Sequence, residues 1–151
     1  MTNSSAVAIS NLLYLYAELI DSDELELAAD LFRHARIKVR HTSESISADE
    51  LLGIWRRLVR IYSCGTPRTR HLVSNIILDM DEKAGRAKTR SCYTVYQATE
   101  DLPIQLIAAG RYHDEFQRPD GVWRFSYRDY SLLDMVGDTS EHLTQSVGGS
   151  G

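Results

Sequence analysis

Apolar residues recur at helical spacing over the first part of the chain. Between residues 5 and 21 they return every three or four positions, which predicts one amphipathic helix. The polar stretch DSDE interrupts this pattern, and a second helical period runs from residue 25 to about residue 34. We therefore expect two helices joined at a sharp corner.

A capping signal predicts a third helix. Ser47 and Glu50 have the spacing of a capping box, and the helix is expected to continue through LLGIWRRLVRIY until CGTP ends it. Between the second and third helices, RIKVRH has the residue types of a short strand.

From Thr66 onward the hydrophobic period changes to two. This alternation predicts four long antiparallel strands at about 66–80, 86–98, 103–117 and 121–134, separated by DEKAGR, TEDLP and QRPDG. Gly110 lies inside the third of these strands, where a glycine suits a bulge or bend.

Helices followed by long hairpins are the order of an α+β fold. We expect a strongly bent, mostly antiparallel sheet that forms a cone-shaped half-open barrel, covered by the three N-terminal helices. In this interpretation residues 1–134 form a single domain. Residues 135–151 form a C-terminal tail, and its end QSVGGSG is expected to be mobile.

Composition limits the classes of function. The 151 residues are 43% apolar and 25% charged, which is typical of a soluble globular protein, and no apolar run is long enough for a membrane helix. The start MTNSSAVAIS lacks the features of a secretion signal, so the cytoplasm is the expected location. A net charge of −4 argues against nucleic acid as a partner. The wide spacing of Cys64 and Cys92 argues against a disulfide or a metal site.

Two stretches resemble a known family. The order of elements, the segment YAELIDSDELELAADLF at 16–32 and the hairpin RYHDEFQRPDGVWRF at 111–125 are similar to the SnoaL-like branch of the nuclear transport factor 2-like superfamily. The resemblance covers about residues 5–134 and implies the cone-shaped fold. Relatives in this branch include scytalone dehydratase, hexachlorocyclohexane dehydrochlorinase, the more distant ketosteroid isomerase and the small subunits of aromatic-ring-hydroxylating dioxygenases. Because some of these are enzymes and others are architectural, the resemblance does not identify a reaction.

The resemblance implies a catalytic pair. In the dehydratase and dehydrochlorinase members, an Asp at the end of the first helix orients a His early in the first long strand, and the matching residues are Asp21 and His71. A neutral imidazole is a useful general base near pH 7, and a carboxylate fixes its tautomer. Two other roles stay open at this stage: Asp21 as a cap of the second helix, and His71 as a solvated or hydrogen-bonded strand residue.

Further candidates accompany this pair. Tyr16 matches the oxyanion-hole tyrosine of ketosteroid isomerase, although Arg40 and His41 stand where that enzyme has its carboxylate base. Three more residues are candidates for substrate binding: Tyr14, Trp55 and Arg128. The two rings are alternatively part of the core or of the pocket wall. The arginine either binds a substrate carboxylate or is solvated or paired with a carboxylate of the protein.

Strand parity supplies candidates independently of any family. If His71 faces the cavity, alternate residues of its strand face it too: Val73, Asn75 and Ile77. Asn75 is then expected to hydrogen-bond the substrate.

The following strand has two possible registers. One places Ser91, Tyr93 and Val95 at the cavity, and a slip of one residue places Cys92, Thr94 and Tyr96 there. We favour the first register, with Ser91 and Tyr93 as substrate-binding residues.

Two functions fit these observations. The first is a cofactor-independent lyase or isomerase, without a metal, that abstracts a proton from a small apolar cyclic or polyketide-like molecule. The second is a non-catalytic ligand-binding module or the small (β) subunit of an aromatic-ring-hydroxylating dioxygenase. We also expect a homodimer or homotrimer, assembled through the convex face of the sheet, where Trp123, Phe125 and Tyr127 or their neighbours require cover.

Overall fold

The computed structural model describes residues 3–145, which contain three helices. α1 spans Ser5–Asp21, as predicted, α2 spans Leu25–Asp30 and α3 spans Ala48–Leu58. The capping box of Ser47 and Glu50 is confirmed, because each side chain bonds the backbone N–H of the other. α3 ends earlier than predicted, because Val59 is extended and pairs with Leu143. No helix of this part of the chain is long and apolar enough to cross a membrane.

The described residues also form a six-stranded sheet. Its strands are β1 Arg36–Lys38, β2 Thr69–Asp81, β3 Arg86–Gln97, β4 Gln105–Gln117, β5 Arg124–Asp129 and β6 Leu133–Val136. The order is β1-β5-β4-β3-β2, and β6 also pairs with β4. Only the short contact between β1 and β5 is parallel among these strand pairs. The α+β class with a bent, half-open sheet is therefore confirmed.

The last predicted strand is divided in two. The single strand expected over 121–134 is β5 and β6, which pair with different parts of β4. Because β3 occupies one edge of β4, β5 and β6 share the other edge. Shifts of register mark where the sheet bends, and one of them falls between Ala109 and Gly110 in the β4–β6 pairing. The expectation of an irregularity at Gly110 is thus confirmed.

The core lies between the helices and the concave face of the sheet. It includes Ile9 and Leu13 of α1, and Phe32 after α2, all fully buried. Trp123 and Phe125 are buried too, so the expectation that they lie on the convex face is wrong. Phe125 pairs with the inward-facing Phe116 across β4 and β5 and packs on Phe32. Tyr127 packs under Arg36 and pairs with Glu115 instead.

The chain after β6 returns to the end of α3. The backbone N–H of Gly137 donates to the carbonyl of Ile107, and Leu143 forms a bridge with Val59. Of the segment QSVGGSG, expected to be mobile, residues 146–151 lie outside the described residues.

Candidate active site

Asp21 is the last residue of α1, and its carboxylate lies against the beginning of β2. It accepts three hydrogen bonds: from the backbone N–H of His71 at 2.7 Å, from Nδ1 of His71 at 2.6 Å and from the hydroxyl of Thr69 at 2.8 Å. Thr69 and His71 are two residues apart on one strand, so they share a face. α2 has no side-chain cap, so the alternative of Asp21 as its cap is wrong.

The pair is shielded from solvent and electrostatically matched. The side chains of Asp21 and His71 are 9% and 8% exposed. Burial opposes the charge of Asp21, but the hydrogen bonds from His71 and Thr69 outweigh it and hold the pKa of this carboxyl below its ordinary value. Because a charged carboxylate accepts from Nδ1–H, the lone pair of the neutral imidazole lies on Nε2. This is the arrangement of a general base held by a carboxylate.

One aromatic ring packs against the imidazole. The ring of Tyr16 stands edge-on to His71, with centroids 6.5 Å apart, and lies 6.2 Å from the ring of Trp55. Tyr16 is buried, and burial raises the pKa of its phenol although Arg128 is close. Tyr16 is therefore a neutral hydrogen-bond donor. Trp55 is only partly buried and forms a wall from α3.

The favoured register of β3 is confirmed. Ser91, Tyr93 and Val95 are buried, and Tyr93 pairs with Val73 of β2. The ring of Tyr93 stacks on that of Tyr112 with centroids 4.3 Å apart. The residues of the alternative register are partly or more fully exposed: Cys92, Thr94 and Tyr96.

The expectation that Asn75 and Ile77 share the face of His71 is wrong. Asn75 adopts a φ of 53°, and the register with β3 shifts between Ser74 and Ile77. This bulge inserts a residue, so the inward positions continue at Ile76 instead. Asn75 and Ile77 are exposed, and Asn75 is not placed to contact a ligand of the Asp21–His71 pair.

Tyr14 is not part of the site either. Its side chain is 49% exposed, whereas Tyr16 is buried. Two residues along a helix correspond to a rotation of roughly 200°, which turns Tyr14 away from the sheet.

Arg128 pairs with a carboxylate of the protein. It is completely buried and donates to Asp114 from Nε at 2.6 Å and from Nη2 at 2.9 Å. Its guanidinium is surrounded by the rings of Tyr16, Phe32, Tyr112, Phe125 and Tyr130. The expected role with a substrate carboxylate is therefore replaced by an internal ion pair. Asp114 stood in the hairpin quoted above, but only the register of β4 and β5 brings it opposite Arg128.

His142 is a residue near the site that the sequence pattern did not indicate. This residue follows β6, and it lies close enough to His71 and Asp21 to interact electrostatically with both. No periodic pattern marks the segment around it. The only signal was a histidine beside an acidic residue in the presumed tail.

An open groove borders Asp21. It has a volume of about 610 Å³, reaches Asp21 and Thr69, and is lined further by Tyr96, Gln97 and Ile104. Within residues 3–145, no group of three or more His, Cys, Asp or Glu side chains is arranged to hold a metal ion.

Comparisons with known proteins agree on the fold. The profile of the SnoaL-like domain matches residues 3–129. No curated protein matches the chain significantly. A solved structure from Mycobacterium tuberculosis, of unknown function, is 24% identical with a TM-score of 0.66, over 87% of this chain and 72% of that one.

Two solved structures from Novosphingobium aromaticivorans are also similar. One, provisionally named a scytalone dehydratase, is 24% identical with a TM-score of 0.66, over 88% of this chain and 86% of that one. The other is the β subunit of a protein provisionally named an aromatic-ring-hydroxylating dioxygenase. It is 18% identical with a TM-score of 0.66, over 90% of this chain and 94% of that one. At these identities the likeness shows the fold alone.

Proposed function

Because the chain belongs to the SnoaL-like domain family, we propose that it is a cofactor-independent lyase or isomerase acting on a small apolar cyclic or polyketide-like molecule. The observation that carries the proposal is the 2.6 Å hydrogen bond between Nδ1 of His71 and the carboxylate of Asp21, made by two side chains that are less than one-tenth exposed. The bond at Nδ1 fixes the ring and its tautomer and leaves Nε2 as the basic atom, which is what a general base requires.

In the proposed reaction His71 is the catalytic base. Its Nε2 takes a proton from a carbon atom of the substrate. The electron pair of the broken C–H bond either forms a C=C bond as a leaving group departs with its own pair, or moves onto an adjacent carbonyl. The imidazolium then returns the proton to the leaving group or to another carbon. Asp21 is a positioning residue, because it orients the ring and stabilises the imidazolium. Such a base supplies about 10²–10⁴-fold of rate.

Tyr16 is the proposed electrophile. Its phenol remains protonated because burial raises its pKa, and a neutral phenol donates to an oxygen that gains charge as the proton leaves. The edge-on packing of Tyr16 against His71 supports this role, since it places the ring that carries the donor beside the base.

Deuterium exchange tests the proposal without knowledge of the product. The full chain is incubated in D₂O with a panel of bicyclic ketones that includes 1-tetralone, and incorporation beside the carbonyl is followed by mass spectrometry. We expect exchange faster than in buffer, and a loss of roughly 10²-fold in His71→Ala. His41→Ala, at an exposed histidine, is the matched control and should not change the rate. Exchange that survives His71→Ala, or a wild-type protein that exchanges no ketone of the panel, would contradict the proposal.

One observation favours a second function. The interior beyond Tyr16 is filled by the Arg128–Asp114 pair and its rings, as suits a dioxygenase β subunit that needs no reaction space. A neighbouring gene for a large subunit with Rieske-type iron–sulfur and iron-ligand motifs would favour this alternative. So would a stable complex of the two purified chains in size-exclusion chromatography.

A further inference from the structure

The C-terminal strap, residues 137–144, is attached to the end of α3. The backbone N–H of Arg60 donates to the carbonyl of His142 at 2.8 Å, and that of Thr144 to the carbonyl of Leu58 at 2.8 Å. Between these bonds Leu143 forms a bridge with Val59. The backbone on both sides of His142 is thus held by hydrogen bonds.

Glu141 attaches the same strap to the end of the sheet beside the catalytic pair. Its carbonyl accepts from Nε2 of Gln97 at 3.0 Å and from the hydroxyl of Tyr62. Gln97 is buried and lies directly opposite Thr69, whose hydroxyl donates to Asp21. The strap therefore places the residue after Glu141 next to the Asp21–His71 pair.

His142 presents an unpaired polar atom at that place. Its Nδ1 is enclosed and has no hydrogen-bond partner among residues 3–145. Burial lowers the pKa of His142 to about 4, and the nearby His71 acts in the same direction against the opposing effect of Asp21. The imidazole is therefore neutral near pH 7. An enclosed polar atom without a partner costs stability, and such atoms in native proteins call for an explanation.

We propose that His142 is a substrate-binding residue of the Asp21–His71 site, where its Nδ1 forms a hydrogen bond with a hydroxyl or carbonyl oxygen of the ligand. This inference rests on the proposed function and narrows its substrate class. The ligand is an oxygenated cyclic molecule rather than a hydrocarbon or halocarbon of the same shape. A neutral imidazole also leaves His71 as the group on which positive charge develops, beside the carboxylate that stabilises it.

A matched pair of ligands tests the hydrogen bond independently of catalysis. 2-Naphthol and 2-methylnaphthalene have nearly the same shape, and only the first carries a polar oxygen. We expect wild-type protein to bind 2-naphthol more tightly in a fluorescence titration. His142→Leu should lower the affinity for 2-naphthol by about 5- to 10-fold, the effect of one hydrogen bond, and leave the affinity for 2-methylnaphthalene unchanged. His142→Gln, which retains a polar group, should recover part of the loss.

The outcomes separate this inference from the proposed function. The proposed hydrogen bond would be overturned if His142→Leu lost the same affinity for both ligands, or lost no affinity for either. Failure of the wild type to bind either ligand would overturn it too. If His142→Leu does not fold, as judged by circular dichroism, the affinities of His142→Gln and wild type for the two ligands are compared instead. A selective loss of affinity for 2-naphthol in His142→Gln would then support the hydrogen bond. His71→Ala should keep the preference for 2-naphthol. A protein with that preference but without ketone exchange would retain the His142 site and lack the reaction.

Discussion

The Asp114 carboxylate receives two hydrogen bonds from Arg128, and both side chains are completely shielded from solvent. The ring of Tyr112 lies 3.9 Å from the guanidinium carbon, and the ring of Tyr16 lies 4.5 Å from it. Tyr16 also packs against His71. An ion pair of this kind is tolerated only when both partners are present, because either charge alone is strongly disfavoured in the interior. The Arg128–Asp114 pair and the Tyr16 ring therefore depend on one another for their packing.

Removal of one partner of this ion pair should be costly. Asp114→Asn leaves the buried guanidinium without a carboxylate, and we expect a loss of about 3–5 kcal/mol in the free energy of unfolding, measured in urea. The double change Asp114→Leu with Arg128→Met should restore much of it. The matched control is Glu115→Gln, which breaks an exposed pair with Lys88 and should cost less than about 1 kcal/mol. Equal costs at the two sites would contradict this account.

Loss of the two members of the proposed catalytic pair should not be additive. His71→Ala and Asp21→Asn are each expected to lower kcat by roughly 10²-fold or more, and the double variant should be little worse than the worse single one. The reason is that a base and its positioning residue act as one unit. Binding of 2-methylnaphthalene should be unchanged in Asp21→Asn, which separates positioning from a loss of structure.

The control for this cycle is Asp101→Asn, at an exposed loop residue. A double variant whose loss equals the product of the single losses would mean that the two residues act separately. An Asp21→Asn variant that loses about 1 kcal/mol of stability with full activity would mean that Asp21 serves only the fold.

His142 should make the protein less stable in mild acid. Its pKa is about 4 in the folded state and 6.5 without perturbation, so the unfolded chain binds more protons between these values. The free energy of unfolding therefore falls as pH decreases from 6.5 to 4, by on the order of 3 kcal/mol at most. His142→Gln should remove this dependence in urea titrations at several pH values.

Asp21 affects the free energy of unfolding in a different pH range. Its folded pKa lies below the ordinary value of 3.8, so its contribution is present above that value and is lost as pH falls further. A slope between pH 6.5 and 4 that persists in His142→Gln would show that another group is responsible.

Gly110 should not tolerate a side chain. A Cβ at this position would lie 2.6 Å from the carbonyl oxygen of Leu132 and 2.7 Å from the hydroxyl of Tyr93. Gly110→Ala is expected to cost about 1–3 kcal/mol, because the backbone and the Tyr93 ring must move. Gly53→Ala is the control, since nothing lies within 4 Å there and α3 should gain about 0.5–1 kcal/mol. Thermal unfolding of both variants checks the prediction, and a neutral Gly110→Ala would contradict it.

Assembly through the outer face of the sheet remains a prediction. Apolar side chains on adjacent strands are exposed there: Leu72, Tyr96, Leu106 and Met135. We expect a homodimer or homotrimer in sedimentation velocity at micromolar concentration, and Leu106→Asp should shift it towards monomer. Leu27→Asp, at an exposed leucine of α2, is the control and should have no effect. A compact wild-type monomer would contradict the prediction.

Local pattern was sufficient for much of the fold. The bounds of α1, the capping box of α3 and the extents of β2, β3 and β4 follow from hydrophobic period and capping, which depend on residues near each other in the chain. The inward positions of Ser91 and Tyr93 follow from the same alternation. Asp21 and His71 were identified by resemblance, and the structure brings them into contact.

Contacts between distant segments decided the rest. The bulge at Asn75 reversed the parity of β2, and the two halves of the last predicted strand separated because each pairs with its own part of β4. Arg128 lies opposite Asp114 because of the register between β4 and β5. His142 lies near the Asp21–His71 pair because the strap is hydrogen-bonded to the end of α3 and to Gln97 of β3. The amino-acid sequence by itself determined the elements and the pair of chemical groups. Only the tertiary structure decided what surrounds them, because a register, a bulge or a returning segment is set by partners far away in the chain, which periodicity does not reveal.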